Sequence, residues 1–186
     1  MTILDLWLPI LLAAVFVFLV SSVIHMATPL HKSDFKKMPN EADALAAMRA
    51  NGLVPGQYVF PCAASMADMG SPEMSAKLQE GPIGFMTVMP NGGFRMGRQL
   101  IHWFLFSLLI GVCAAYMATV YVNKTGAVTD VFRITATVGV LGFALSHLQD
   151  SIWKGQLWVT TCKFLFDGLL YGLATGAAFA WFWPGA

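Results

Sequence analysis

The sequence predicts an all-α membrane protein with four transmembrane helices and a small mixed cytoplasmic cap between the first and the second. Three observations carry this. The 186 residues are 57% hydrophobic and only 11% charged, with a mean hydropathy of +0.65, which lies outside the range of a soluble globular domain. Four apolar windows, 4–27, 99–122, 131–148 and 157–183, come close to or exceed the roughly 20 residues that cross a hydrocarbon core of about 30 Å as a helix. All four are continuous and rich in Leu, Ala, Phe and Gly, whereas a membrane barrel shows alternating segments of about ten residues. The chain therefore divides into a first helix within 1–27, an insert over 28–97 and three helices within 98–186.

The first window is expected to stay attached, because no basic residue precedes its apolar run and no small-x-small site separates it from Thr28. Lys32, Lys36 and Lys37 follow it closely. Together with Arg49, Lys77, Arg95 and Arg98 in the insert and Lys154 in the later turn, they outnumber Lys124 and Arg133 on the opposite side. Positive charge is retained on the cytoplasmic face. The insert is thus expected in the cytoplasm of a bacterial cell, both termini outside, and the chain multi-pass in the plasma (inner) membrane. Trp103, Trp153 and Trp158 then serve as inner aromatic anchors, with Trp7, Tyr121, Trp181 and Trp183 as outer ones. The bilayer is the first partner. A net charge of +1 gives no nucleic-acid signal, so no nucleic-acid partner is expected, and the basic run 32–37 reads as an anchor beside anionic lipid.

Within the insert, Asn40 is placed to cap a helix through Glu41 and Arg49 that Asn51-Gly52 ends. Ser71-Pro72-Glu73 opens a second helix, which Gly81-Pro82 closes. Segments 57–60 and 85–89 read as a strand pair, and Pro90-Asn91-Gly92-Gly93 turns the chain toward the second spanning helix. So short a segment buries little core alone, and it is expected to act as a cap on the bundle's inner mouth. Eight of the eleven methionines lie here. Cys62, Met66, Met69 and Met74 offer soft ligands for copper(I), but adaptable packing by methionine explains them better, as no histidine joins the run. Cys62, Cys113 and Cys162 are scattered, so no disulfide is expected.

Gly168, Gly172, Gly176 and Ala180 recur at four-residue spacing on the fourth helix, and Ser107, Gly111, Ala115 and Thr119 do so on the second. Small residues let helix backbones approach closely in lipid. The two ribbons are expected to pair, within one chain or between copies.

Chemistry is expected at the inner end. His25, His102 and His147 lie near the ends of the first three helices, with Lys163, Asp167 and Tyr171 on the fourth and Asp150 and Lys154 in the preceding turn. An ionisable group inside a span is costly and is a functional candidate by default. Asp167 is the sharpest of them, because a short carboxylate cannot reach the headgroups as Lys163 can. A pairing with Lys163, or a bond from Tyr171, is its structural explanation. His102 with His25 or His147 offers a haem pair, and His with Asp offers a quinone or proton-relay site; which metal, if any, the group takes is left open.

No nucleotide loop, nucleophile elbow, haem-attachment motif or spaced zinc set occurs. The function expected from the sequence is therefore that of an accessory or scaffold subunit of a larger membrane complex, more a non-enzyme than an enzyme and without a cofactor. The alternative is a redox, metal, haem or proton-handling site built from the inner-end His and Asp residues. The stretch Asp150-Ser151-Ile152-Trp153-Lys154-Gly155, with Phe166-Asp167-Gly168, resembles small four-helix membrane proteins of bacteria, a resemblance that transfers no residue role.

Overall fold

The computed structural model describes residues 1–93 and 95–185. Two compact units emerge, one made of Met1–Asp34 with Arg95–Ala186 and the other of Phe35–Phe94. In chain order the elements are α1 (Trp7–Ser22), α2 (Glu41–Ala50), β1 (Gly56–Phe60), α3 (Met66–Met69), α4 (Pro72–Glu80), β2 (Gly84–Val88), α5 (Met96–Tyr121), α6 (Val128–Phe143), α7 (His147–Lys154) and α8 (Trp158–Trp181). A single tight turn, Ile3–Leu6, leads into α1 and a widened turn, Val23–Ala27, continues it.

Among the described residues, four helical stretches are long and apolar enough to cross a membrane: Ile3–Ala27, Met96–Tyr121, Val128–Lys154 and Trp158–Trp181. The first, second and fourth, at 24 to 26 residues, run for about 36–39 Å at 1.5 Å per residue. Large apolar side chains such as Leu19, Leu105, Leu109, Leu141 and Leu169 point outward from all four. The third stretch is not one helix. The chain leaves α6 at Ala144 and turns through Ser146 before α7 begins, with the His147 amide bonded to the Ala144 carbonyl at 3.2 Å. Gly155, at φ 71°, ends α7.

The small-residue faces pair differently from the expectation. On α8, Gly168, Gly172 and Gly176 lie against Ala144, Val140 and Ala136 of the α6 side, and Gly139 of α6 sits where an added Cβ would be 2.7 Å from the Gly172 Cα. On α5, Gly111 faces the Ile10 backbone of α1. Ser107 and Ala115 are buried, Thr119 and Ala180 only half-buried. The expected pairing of the α8 ribbon with the α5 ribbon is thus corrected: α8 seats on α6 and α5 on α1. The physical reason is that α6 carries its own small face, Ala136, Gly139 and Ala144, where two helix backbones touch and dispersion is greatest.

Two apolar clusters fill the helical unit. One joins Leu6, Ile10, Ala114, Ala118, Val131, Phe179 and Trp183, and the other Val17, Ile24, Ile110, Phe143 and Tyr171. The second cluster lies next to the candidate site.

In the smaller unit, β1 and β2 pair antiparallel, Gly56 opposite Val88 and Phe60 opposite Gly84. Ser71 Oγ accepts a bond from the Met74 amide at 3.1 Å and Gly81, at φ 64°, ends α4. The extra short helix α3 is capped in the same way by Ser65 Oγ, which accepts from the Asp68 amide at 3.2 Å. Asn40 is the N-cap residue of α2, as expected, but its side chain does not make the cap. It adopts a left-handed conformation, φ 48°, with no capping bond from its side chain, and its carbonyl closes the first turn instead. Ser71→Ala is expected to destabilise α4 by about 1 kcal/mol, read as faster amide exchange at Met74 and Ser75 with exchange in α5 unchanged. Of the candidate copper set, Met74 is buried, while Cys62, Met66 and Met69 are exposed. The three cysteines are free.

Candidate functional site

Local backbone geometry builds the site from the segment that ends the first span. The widened turn Val23–Ala27 carries His25, and such i→i+5 turns recur at functional positions. Thr28 then goes extended, φ −108° and ψ 154°, as a residue before proline must. From Pro29 the chain folds back through two successive turns, the Lys32 amide bonding the Pro29 carbonyl and the Asp34 amide the His31 carbonyl, each at 3.2 Å. That return sets the His31 ring 4.4 Å from the His25 ring. On α8, Phe164 stacks on His31 at 5.2 Å and on His147 at 4.6 Å, so three histidines and a phenyl ring form one column.

Charges are arranged around that column. His31 Nδ1 lies 2.6 Å from Asp34 Oδ2, and Lys163 Nζ donates to Asp34 Oδ1 at 2.5 Å and to Ser33 Oγ at 3.0 Å. The Asp34 side chain is 2% exposed and that of Lys163 15%. Burial works to raise the Asp34 carboxyl, but the hydrogen bonds from Lys163 and His31 outweigh it and hold the group below its ordinary value. Asp34 thus holds the Nδ1 edge of His31 with one oxygen and Lys163 with the other. His31 Nε2 is left facing Asp167 Oδ2 at 2.8 Å. The two atoms are close but not aligned as donor and acceptor, and neither His31 Nε2 nor either Asp167 oxygen has a hydrogen-bond partner among the described residues. His25 Nε2 stands 3.8 Å from Asp167 Oδ2 and 3.3 Å from the Tyr171 hydroxyl.

Beside this cluster, where α1, α5, α6 and α8 meet, lies a cavity of about 580 Å³. Its wall includes His25, His147, Asp167, Tyr171, Gln99 and Trp103, and most of the remaining lining is apolar. Trp103 donates its indole N–H to Ser21 Oγ at 3.0 Å, and its ring packs edge-on against Tyr171 at 5.6 Å. That volume falls in the range of small-molecule sites, about 300–1,000 Å³.

The structure brings together His25, His147, Lys163, Asp167 and Tyr171 from the candidates read in the sequence, and adds His31 and Asp34. His102 is exposed and outside the cavity wall. Asp150 and Lys154 bond each other at 2.7 Å on α7, away from the cluster. Two local pairings are corrected. Lys163 bonds Asp34 rather than Asp167, and the Tyr171 hydroxyl meets His25 rather than Asp167. The 28–34 turns bring Asp34 and the Val23–Ala27 turn brings His25 into the space that an isolated α8 leaves to its own neighbours. The signal for His31 and Asp34 was Pro29 followed by a His-x-x-Asp spacing, which marks a returning chain more than a simple lipid anchor.

Comparison of the chain with protein families, with curated proteins and with solved structures finds no match. What the site does follows from its own residues.

Proposed function

We propose that this chain is a multi-pass membrane protein whose helical unit binds a ring-bearing, lipid-soluble small molecule, with a quinone as the class that its donors fit best. The observation that carries this is the cavity: apolar and aromatic over most of its wall, with the Tyr171 hydroxyl, the His25 and His147 rings and the Gln99 amide among its polar positions, beside Ser21, Ser22 and Asp167. A quinone is a flat apolar ring with hydrogen-bond acceptors at its edge. Trp103, Phe143 and Tyr171 supply faces for the ring, and the hydroxyl, amide and imidazole groups supply donors for the carbonyls.

The four apolar helices with outward-facing leucines support insertion in a bilayer. The Lys and Arg distribution supports an orientation with both termini outside and residues 28–97 in the cytoplasm of a bacterial plasma membrane. The cavity then opens at cytoplasmic depth. A role as accessory subunit draws on small-residue faces as docking surfaces. The three glycines of α8 are covered by α6 within the chain, so the cavity is the stronger basis.

Titration of the detergent-solubilised protein with a short-chain benzoquinone, followed by quenching of tryptophan fluorescence, tests the reading. Saturable quenching is expected, weakened at least about tenfold in Leu100→Trp, which fills the cavity and costs the ligand about 1.4 kcal/mol or more. Trp103→Phe should remove most of the quench amplitude while leaving binding measurable by equilibrium dialysis. Linear, non-saturable quenching that is the same in Leu100→Trp means partition into the micelle and rejects the proposal.

A further inference from the structure

Three donor atoms converge at the polar edge of the cavity. His25 Nε2, His31 Nε2 and an Asp167 carboxylate oxygen all lie within 4.8 Å of one another, and Asp167 Oδ2 is 2.8 Å from the one nitrogen and 3.8 Å from the other. The Asp167 side chain is 2% exposed, with neither oxygen hydrogen-bonded among the described residues. A buried carboxylate in that condition is expensive. With Nδ1 held by Asp34, His31 Nε2 is the ring atom turned toward the Asp167 carboxyl, 2.8 Å from Oδ2.

The surrounding charges point the same way. Lys163 is bonded to Asp34, at the edge of the His31 ring opposite Nε2, and its charge is matched there. Asp167 is left uncompensated. An acidic group that holds the far nitrogen of an imidazole is the arrangement that orients histidine ligands and raises their basicity toward a metal. The His25 side chain is 42% exposed, which gives it room to rotate onto a shared ion. Two imidazoles and one carboxylate suit zinc or ferrous iron and are a poor set for magnesium or calcium, which favour oxygen alone.

We infer that His25, His31 and Asp167 bind one divalent first-row transition-metal ion, with Asp34 as the residue that positions His31. His25 and Asp167 also line the cavity, so the site adjoins it. The inference goes beyond the quinone reading and does not depend on it.

Tag-free protein, purified in mild detergent without chelator, is assayed for metal by mass spectrometry. It is then stripped and titrated with Zn²⁺, and with Co²⁺ as a visible reporter. One ion per chain is expected. His31→Gln and Asp167→Asn should bring binding down to background, and Asp34→Asn should keep the ion with affinity about 10- to 100-fold weaker. Leu100→Trp should retain the ion, which separates this site from the cavity ligand. If His31→Gln yields no monodisperse protein, His25→Gln reads the same loss at a half-open position that leaves the Asp34–Lys163 pair intact. Equal binding by parent and variants overturns the inference. So does a parent chain that binds neither ion, in which case a proton alone bridges His31 and Asp167.

Discussion

Gly172→Ile is expected to abolish recovery of a monodisperse helical unit from the membrane. Even the first carbon of a side chain at this position meets Val140 Cγ2 in hard overlap, and lies 2.6 Å from the Val140 amide nitrogen and 2.9 Å from the Ala136 carbonyl oxygen. Two of those three atoms are backbone, so no rotamer change relieves the clash, and α6 and α8 have to separate. Overpacking of a core costs about 1–3 kcal/mol when side chains can adjust; here the whole interface has to move. In lipid there is little hydrophobic force to hold the helices together once close approach is lost. Gly172→Ala should already lose about 2–3 kcal/mol, measured by reversible unfolding in mixed detergent. Gly97→Ala is the control. Nothing lies within 4 Å of an added Cβ there, and in a helix the change should stabilise by roughly 0.5–1 kcal/mol. Comparable stability of Gly172→Ile and the parent would show that α6 and α8 do not pack as described.

Lys163→Met is expected to cost about 3 kcal/mol, the lower end of the range for breaking a buried pair by removing one partner. The loss comes less from the bond than from what remains. Asp34, 2% exposed, keeps only His31 as a partner and cannot reach water without opening the 28–34 turns. The lower end of the range applies because the pair sits at the end of the bundle, where such an opening is available. Removing the stranded charge in Lys163→Met/Asp34→Asn should restore part of the loss, so the two substitutions are non-additive in a double-mutant cycle. A single-variant cost within about 0.5 kcal/mol of zero would place the pair among exposed ion pairs and remove Asp34 as a fixed support for His31.

Much of the helical frame was legible because long apolar windows leave few ways to satisfy the backbone polar groups. A chain with four long apolar windows can satisfy its backbone only as helices, and the breaks between windows carried Gly, Pro and charge. The insert was legible where a single residue closes a helix end by itself, as Ser71, Gly81 and Gly52 do. Asp167 stood out because a short carboxylate inside an apolar run has no inexpensive explanation. Harder to read was Ala144, where the third stretch breaks. Nothing about an alanine announces a turn, and its smallness matters only because Gly168 of α8 lies against it.

The candidate site was half legible for a similar reason. Local spacing offered Lys163 and Tyr171 as partners of Asp167, one helical turn away on either side. The ion pair that forms instead joins residues 129 positions apart, and His31 meets Asp167 across a comparable separation. Such pairings depend on where the 28–34 turns deliver their side chains in three dimensions, which no periodicity encodes.

By itself the sequence determined the four apolar helical stretches, their order, and the presence of costly polar groups near one end of the bundle. Each of these follows from the interaction of a residue with its solvent or its nearest neighbours along the chain. Only the tertiary structure decided that α8 seats on α6, that His31 and Asp34 complete the cluster, and that a cavity adjoins it. These depend on which surfaces meet, and close packing selects among small-residue faces by shape at a resolution finer than residue type.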